Sequence, residues 1–352
     1  MEKVGIAVIG CGEISSYHIN ALRLIPQADI RVYCDIVREK AEFRAEGFGD
    51  VCTDYKEAIH RDDINLVMIL TPNYLHCPIA VEAAKAGKHI FVQKPFARTV
   101  QECEEMIAAA KANNVKLFAS FMHRYFEESV WAKNYIQSGG LGDIYLCYLR
   151  NSLPGSNYST WQYNEELCGK GGAIIDVGVH GIDIIRYLLG DFAEVEHASK
   201  GRRIESRSIK GEIIEPNNED WAIAEYILKN GARVSHHISW IQPWNCNRFV
   251  MEIHGSKGSL YLRTGYGALA VDGMGDKPAD IVFPQLAQTQ FGYRQHKEVI
   301  DAIIADTNPI ATGEDGKYTL QIVEQILEKC EQGQLLEQRP QKILCNRQRM
   351  TV

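Results

Sequence analysis

The sequence predicts an α/β protein in two parts: an N-terminal doubly wound parallel sheet and a C-terminal α+β domain with a large, mostly antiparallel, open-faced sheet. Three observations predict it. The first third alternates short apolar strands with helical patterns, the signature of a parallel sheet. The later strands follow one another through glycine turns, as antiparallel strands do. The 352 residues exceed what a single core usually organises. The division falls between residues 1–124 and 125–352.

The first strand, residues 4–10, runs into Gly10-Cys11-Gly12-Glu13-Ile14-Ser15 and then a helical pattern through Leu22 and Leu24. The first glycine permits a tight turn, and the second lets backbone approach a pyrophosphate seated on the helix N-terminus. Ser15 stands where glycine or alanine is usual and is still small enough for close helix–strand packing. The second strand, residues 30–35, ends in Asp35, an acid placed to hold the ribose hydroxyls of a dinucleotide. Strand, turn, helix, strand and acid in this order mark a Rossmann dinucleotide site, with Gly10, Gly12, Glu13, Ile14 and Asp35 as candidate cofactor contacts.

A third strand, residues 65–70, leads into Thr71-Pro72-Asn73-Tyr74-Leu75-His76. Thr71, Pro72, Asn73 and His76 lie at the carboxyl edge of the sheet, where such folds bind ligands. His76 serves equally as an exposed first-turn residue. A helix over 78–86 and a strand over 89–93 precede Gln93-Lys94-Pro95. Gln93 and Lys94 therefore reach the same crevice, and the proline admits a cis bond. Taken alone, Lys94 also fits an ordinary solvated lysine. A helix over 100–112 and a strand over 116–121 complete the first part.

Strands of the second part are predicted at 144–149, 221–228, 233–240, 248–254 and 259–262, and helices at 295–305 and 318–333. Between them lies the most informative stretch, residues 171–190. It is nearly all Ile, Val, Leu and Gly, yet it carries Asp176, His180 and Asp183. On a helix the spacings i, i+4 and i+7 put all three on one stripe. A carboxylate and an imidazole at the edge of a core are costly unless paired or used. Histidine beside a carboxylate is also the usual chemistry for taking a proton near neutral pH. A structural Asp–His staple accounts for the stripe as well, on these residues alone.

Taken together, the Gly10–Ser15 loop, Asp35, the 71–76 loop, Lys94-Pro95, Arg124, the 172–183 helix and Thr312-Gly313-Glu314-Asp315-Gly316 resemble the Gfo/Idh/MocA family of oxidoreductases over nearly the whole chain. The resemblance implies that Lys94, Asp176 and His180 carry catalysis. It implies that Asp183, Arg124, Asn151 and Trp161 contact substrate. Asp35 is followed by Ile36 and Val37, so no basic or hydroxyl side chain stands directly beside it to receive a 2′-phosphate, and NAD rather than NADP is expected, with Arg38 as the one competitor. The family more often has Glu where this chain has Gln93. Family members assemble through the open sheet face, so a homodimer or homotetramer is expected. Strand residues Ile223, Tyr226, Val234, Ile238 and Trp240 offer more apolar surface than one side of the sheet can hide.

The implied chemistry is oxidation of a secondary alcohol of a sugar, cyclitol or related polyol. His180 serves as the base, Lys94 stabilises the alkoxide and Asp176 orients the imidazole or the hydroxyl. Two alternatives stay open: a glycoside hydrolase working through transient oxidation by NAD, and a non-catalytic cofactor-binding sensor. A net charge of −7 without a basic cluster argues against nucleic acid or an anionic membrane as partner. No apolar run reaches transmembrane length. The ten cysteines are scattered without a C-x-x-C pair, and His236 and His237 point to opposite sides of a strand, so no metal is expected. This distribution suits the cytoplasm.

Overall fold

A computed structural model describes residues 3–157, 159–242, 249–263, 267–273 and 280–337, with side chains as far as residue 332. The first sheet holds β1 (Val4–Ile9), β2 (Ala28–Cys34), β3 (Asp50–Cys52), β4 (Leu66–Ile69), β5 (His89–Val92) and β6 (Leu117–Ala119). All pair in parallel in the order β3-β2-β1-β4-β5-β6. The order reverses beside β1, which opens a crevice at the carboxyl ends of β1 and β4. β1, β4 and most of β5 are buried on both faces, which is why they read as unbroken apolar runs. Between these strands lie α1 (Ser15–Leu22), α2 (Arg38–Ala45), α3 (Tyr55–Ile59), α4 (His76–Lys85) and α5 (Val100–Ala112). Thr99 starts α5 by accepting from the Glu102 N–H.

The second part contributes α6 (Glu127–Gln137), β7 (Ile144–Ser152), α7 (Glu165–Cys168), α8 (Val179–Leu189) and β8 (Phe192–Gly201). There follow a small hairpin of β9 (Arg207–Ile209) and β10 (Glu212–Ile214), then β11 (Trp221–Leu228), β12 (Arg233–Ser239), β13 (Phe249–Gly255), β14 (Gly258–Arg263), β15 (Gly267–Asp272) and β16 (Asp280–Val282). The eight-stranded sheet runs β16-β15-β14-β13-β7-β12-β11-β8. It is antiparallel except where β12 meets β7 in parallel. Arg248, placed in a strand by its sequence, lies outside the described residues. The chain then returns through α9 (Tyr293–Ile304) and α10 (Gly313–Glu337). Val299 and Ile300 of α9 join the core of the first sheet, so a helix from late in the chain covers its early strands.

Two expectations change. The polar stripe assumed a regular helix, but residues Ile174–Gly178 form a π turn before α8 begins. The wider turn moves Asp176 off the i, i+4, i+7 line through His180 and Asp183. The apolar strand residues expected to exceed what one side of the sheet can hide are also placed differently. Tyr226, Val234, Ile238 and Trp240 are buried, beneath the helix that begins at the π turn. A Cβ on Gly181 would come within 2.3 Å of His236 Nε2 of β12, and one on Gly178 within 2.9 Å of Ile238 Cδ1. Strand parity explains the error, since Ile223 faces the other way from Tyr226. The face left uncovered among the described residues instead presents Tyr148, with Glu225 and His237 on the same side.

Candidate active site

The glycine loop is built as its sequence requires. Gly10 has φ +96°, and a Cβ there would sit 2.7 Å from the carbonyl carbon of Leu70, so only glycine fits. A Cβ on Gly12 would meet nothing within 4 Å, and α1 begins with no side chain capping its first N–H groups. That leaves room and donors for an anion at the helix N-terminus. Ser15 is fully buried and donates to the Gly12 carbonyl at 2.6 Å. Across the crevice, Asp35 Oδ2 accepts from Cys11 N and Oδ1 from Val37 N, both at 2.9 Å. Two backbone donors thus fix the carboxylate at the end of β2. Glu13 is exposed and Ile14 half-buried at the mouth of the loop. These residues fit a dinucleotide.

The 71–76 loop forms the next wall. Thr71 and Pro72 are half-buried, and Thr71 Oγ1 has no partner among the described residues. Asn73 is buried and donates through Nδ2 to the Cys168 carbonyl at 2.7 Å. His76 lies wholly inside, its ring nitrogens 3.0 Å from the Pro95 carbonyl and 2.9 Å from that of Thr71. Burial pushes its pKa down, and a neutral ring donates to only one of the two. His76 therefore joins the two crevice loops from behind and does not line them. Gln93 is also buried, with its Oε1 accepting from Lys94 N at 2.7 Å.

The Lys94–Pro95 peptide is cis. Lys94 reaches the π turn, where its Nζ donates to Asp176 Oδ1 at 2.6 Å and to the Asp176 carbonyl at 2.9 Å. Trp240 Nε1 donates to Asp176 Oδ2 at 3.0 Å, so both carboxylate oxygens are engaged. One turn on, His180 is buried with its ring centroid 4.7 Å from that of His123. His123 stacks on Phe249 at 4.6 Å. In the sheet register Phe249 lies opposite Asn151, whose buried Oδ1 has no partner among the described residues. Trp161 is half-buried in a 3₁₀ turn with Tyr163, whose ring lies 5.2 Å from that of Trp240. Asn151 and Trp161 are thus linked to His180 and Asp176 only through Phe249 and His123, and through Tyr163 and Trp240.

Arg124 and Asp183 belong to a different arrangement. Arg124 Nε lies 3.0 Å from both Asp183 oxygens and Nη2 lies 2.6 Å from Oδ1, with both side chains buried. Arg124 also donates to the Ile310 carbonyl and to Asp315, and Asp315 in turn pairs with Arg186. In this geometry the Asp183 carboxylate is spent on Arg124 and is not open to a substrate hydroxyl. The pair clamps α8 to the turn after β6 and to the start of α10.

Sequence reasoning missed Trp240 as a partner of Asp176, and it missed His123. It also missed Glu219, which is buried and accepts from Ile174 N at the start of the π turn. Burial raises the Glu219 pKa to about 7. The mix of three adjacent polar residues, Asn218-Glu219-Asp220, before an apolar strand was the available signal. Among the described residues no group of three or more His, Cys, Asp or Glu is arranged to hold a metal ion. No helix among them is long and apolar enough to cross a membrane.

Comparison with known proteins agrees with this construction. Residues 4–121 match the Gfo/Idh/MocA oxidoreductase family's NAD-binding Rossmann fold, and residues 133–337 match its C-terminal alpha/beta domain. Levoglucosan dehydrogenase of Pseudarthrobacter phenanthrenivorans is 30% identical over 287 residues, which is 74% of this chain and 73% of that protein. Myo-inositol 2-dehydrogenase of Thermotoga maritima is 24% identical over 320 residues, covering 90% of this chain and 92% of its own length. A levoglucosan dehydrogenase in complex with NADH and levoglucosan superimposes with a TM-score of 0.86 at 25% identity, over 94% of this chain and 98% of the other. The chain belongs to the Gfo/Idh/MocA family of NAD-binding oxidoreductases.

Proposed function

We propose that the protein is an NAD-dependent dehydrogenase that oxidises a secondary alcohol of a sugar, cyclitol or related polyol. The observation that carries this reading is the grip of Lys94 on Asp176, one turn before His180, at the carboxyl edge of a sheet built for a dinucleotide. Relatives named for levoglucosan and myo-inositol support the substrate class. The nicotinamide, when bound, supplies the hydride acceptor. His180 takes the hydroxyl proton, for which its ordinary pKa is suited. Lys94 donates to the same oxygen and stabilises its developing negative charge in a site where little water competes. Asp176, held by Lys94 and Trp240, keeps the ammonium aimed and aligns the reacting hydroxyl.

Asn151 and Trp161 orient the ring of the substrate. Gly10, Gly12, Glu13, Ile14, Asp35, Thr71 and Pro72 contact the cofactor, with Asn73, His76 and Gln93 shaping its walls. Residues 1–124 form the cofactor unit and residues 125–352 the substrate and assembly unit. The exposed Tyr148 of the uncovered sheet face supports a homodimer or homotetramer joined there. The dispersed cysteines support a place in the cytoplasm. The deciding experiment is a panel of polyols, cyclitols and sugars, levoglucosan and myo-inositol included, followed by NADH absorbance. Stoichiometric NADH with one substrate class establishes the activity. Glycoside cleavage without NADH release overturns it in favour of a hydrolase, and tight NAD binding with no turnover overturns it in favour of a sensor.

A further inference from the structure

Behind Lys94 lies a buried chain of side chains that the proposed chemistry does not use. Gln93 Oε1 accepts from Lys94 N, and this bond orients the amide so that its Nε2 faces His18 Nε2 at 2.8 Å. His18 Nδ1 lies 2.9 Å from His296 Nε2. Both rings are fully buried. An amide nitrogen only donates, so His18 Nε2 has to accept and its proton sits on Nδ1. That Nδ1–H donates to His296 Nε2, which leaves the His296 proton on Nδ1. The hydrogen bonds run one way, and both tautomers are fixed by the amide at one end.

The surroundings keep the rings neutral. Burial lowers the pKa of both, that of His296 to about 3, and His296 adds to the reluctance of His18 to charge. Tyr17 of α1 packs edge-on to His18, and its hydroxyl bonds Gln295 of α9. Burial raises the Tyr17 pKa, so it stays neutral too. Phe91 of β5 lies 5.4 Å from both rings, and Ser120 accepts from Gln295. A protonated His18 would set an N–H against the Gln93 NH₂, donor to donor, and break the chain at its first link. His18 sits on the helix that leaves the glycine loop, Gln93 at the end of β5 and His296 on α9. The chain therefore ties the catalytic turn to the cofactor helix and to the late-returning helix at one point.

We infer that Gln93, His18 and His296 are positioning residues: a neutral, one-directional hydrogen-bond relay that holds the Lys94 backbone, and hence its ammonium, in register with Asp176. The inference rests on the role proposed above for Lys94. Its first test needs no substrate. Two-bond ¹⁵N–¹H spectra of histidine-labelled full-length protein, with His18 and His296 assigned by substitution, should show both rings neutral with Nδ1–H from pH 5 to 8. A ring that titrates in that range, or a wild-type His18 protonated at Nε2, overturns the relay. Gln93→Glu replaces the donor with an acceptor, so a proton should appear on His18 Nε2; an unchanged His18 overturns the relay, even where other variants fail to fold. Gln93→Leu removes both bonds and should lower kcat by about tenfold while KM for NAD moves less than about twofold. Wild-type kcat in Gln93→Leu also overturns it. Absence of turnover by the wild-type protein on every polyol would sink the dehydrogenase reading, and the spectra would still decide the relay.

Discussion

Lys94 Nζ sits 2.6 Å from Asp176 Oδ1 and 2.9 Å from the carbonyl of the same residue, so one ammonium joins the end of β5 to the π turn. Both side chains are largely shielded, at 17% and 15% exposure. An ion pair of this kind is stronger than its surface counterparts because water screens it less. It is also a poor candidate for a purely structural device. Desolvating two charges roughly offsets their attraction, so such a pair adds little stability over an apolar one. In the proposed mechanism its use lies in holding a cation on Asp176, one turn before His180.

Lys94→Ala and His180→Ala are each expected to lower turnover far more than they weaken NADH binding. Both act on an alkoxide that exists mainly in the transition state, so their loss appears in kcat. For the base the loss should be on the order of 10²-fold or more. Steady-state kinetics with fluorescence titration of NADH measures both quantities. A near-normal kcat in His180→Ala would remove the histidine from the mechanism.

Trp240→Phe keeps the apolar body of the side chain and deletes its bond to Asp176 Oδ2. The carboxylate then keeps the Lys94 bond to Oδ1 and loses the indole donor on Oδ2. The expected result is a roughly tenfold lower kcat, about 1.4 kcal/mol, with little change in NAD affinity. Unchanged kinetics would mean that Asp176 stays fixed without the indole.

How far the sequence reached can be seen residue by residue. The parallel strands and the glycine loop were legible because each is a local pattern: apolar on both faces, or glycine where backbone must turn. Asp176 and His180 stood out as polar residues in an apolar run. The π turn between them was not legible, since a one-residue widening of the hydrogen-bond pattern leaves no mark in composition. The fate of Asp183 depended on Arg124, 59 residues away, and on Asp315 beyond it. The apolar surplus expected of Tyr226, Val234, Ile238 and Trp240 did not arise, since all four are buried; parity separates the two faces of a strand without saying how much of either a helix will cover. His18 and His296 are 278 residues apart, and nothing local links them.

The Arg124–Asp183 clamp leads to a stability prediction. Asp183→Asn leaves a buried guanidinium with half its compensation and is expected to lower the unfolding free energy by about 3 kcal/mol. Replacing both partners, as in Arg124→Met with Asp183→Leu, should cost less than that single change. Urea denaturation monitored by fluorescence distinguishes the two. If Asp183→Asn unfolds normally but raises KM for the sugar, the carboxylate contacts substrate after all.

Glu219 makes stability depend on pH. Its carboxyl is buried, with Lys200 3.7 Å away, and its folded pKa of about 7 lies above the ordinary 4.5. Between those values the folded chain keeps a proton that the unfolded chain has released. Stability therefore falls as pH rises from 4.5 to about 7 and stays lowered above that. The ceiling on this loss is about 3 kcal/mol. Glu219→Gln keeps an acceptor for Ile174 N and has no charge to bury. It should be nearly as stable as wild type at pH 5 and more stable at pH 8. Parallel urea curves at the two pH values test this, and equal pH slopes for both proteins would show that Glu219 does not titrate in the folded state.

Cofactor choice is expected to rest on Asp35. Its two oxygens are aligned by Cys11 N and Val37 N, which leaves a fixed negative charge at the end of β2. That charge accepts hydrogen bonds from the two ribose hydroxyls of NAD and repels the 2′-phosphate of NADP. Ile36 and Val37 follow it, so no basic or hydroxyl side chain stands beside it to receive a phosphate. Arg38 is the first competitor in sequence, but its Nε already bonds Glu42 Oε1 at 2.8 Å. Arg44, the next arginine, donates to the Gly12 carbonyl and is anchored to the loop. NAD is therefore expected to exceed NADP by at least about tenfold in kcat/KM, roughly 1.4 kcal/mol. Asp35→Ser should erode that ratio by removing the repulsion, and Asp35→Ser with Glu42→Gln should erode it further by releasing Arg38. Initial rates with both cofactors measure it. Equal efficiency in the unmodified protein would mean that Arg38 leaves Glu42 for the phosphate and that Asp35 does not set the choice.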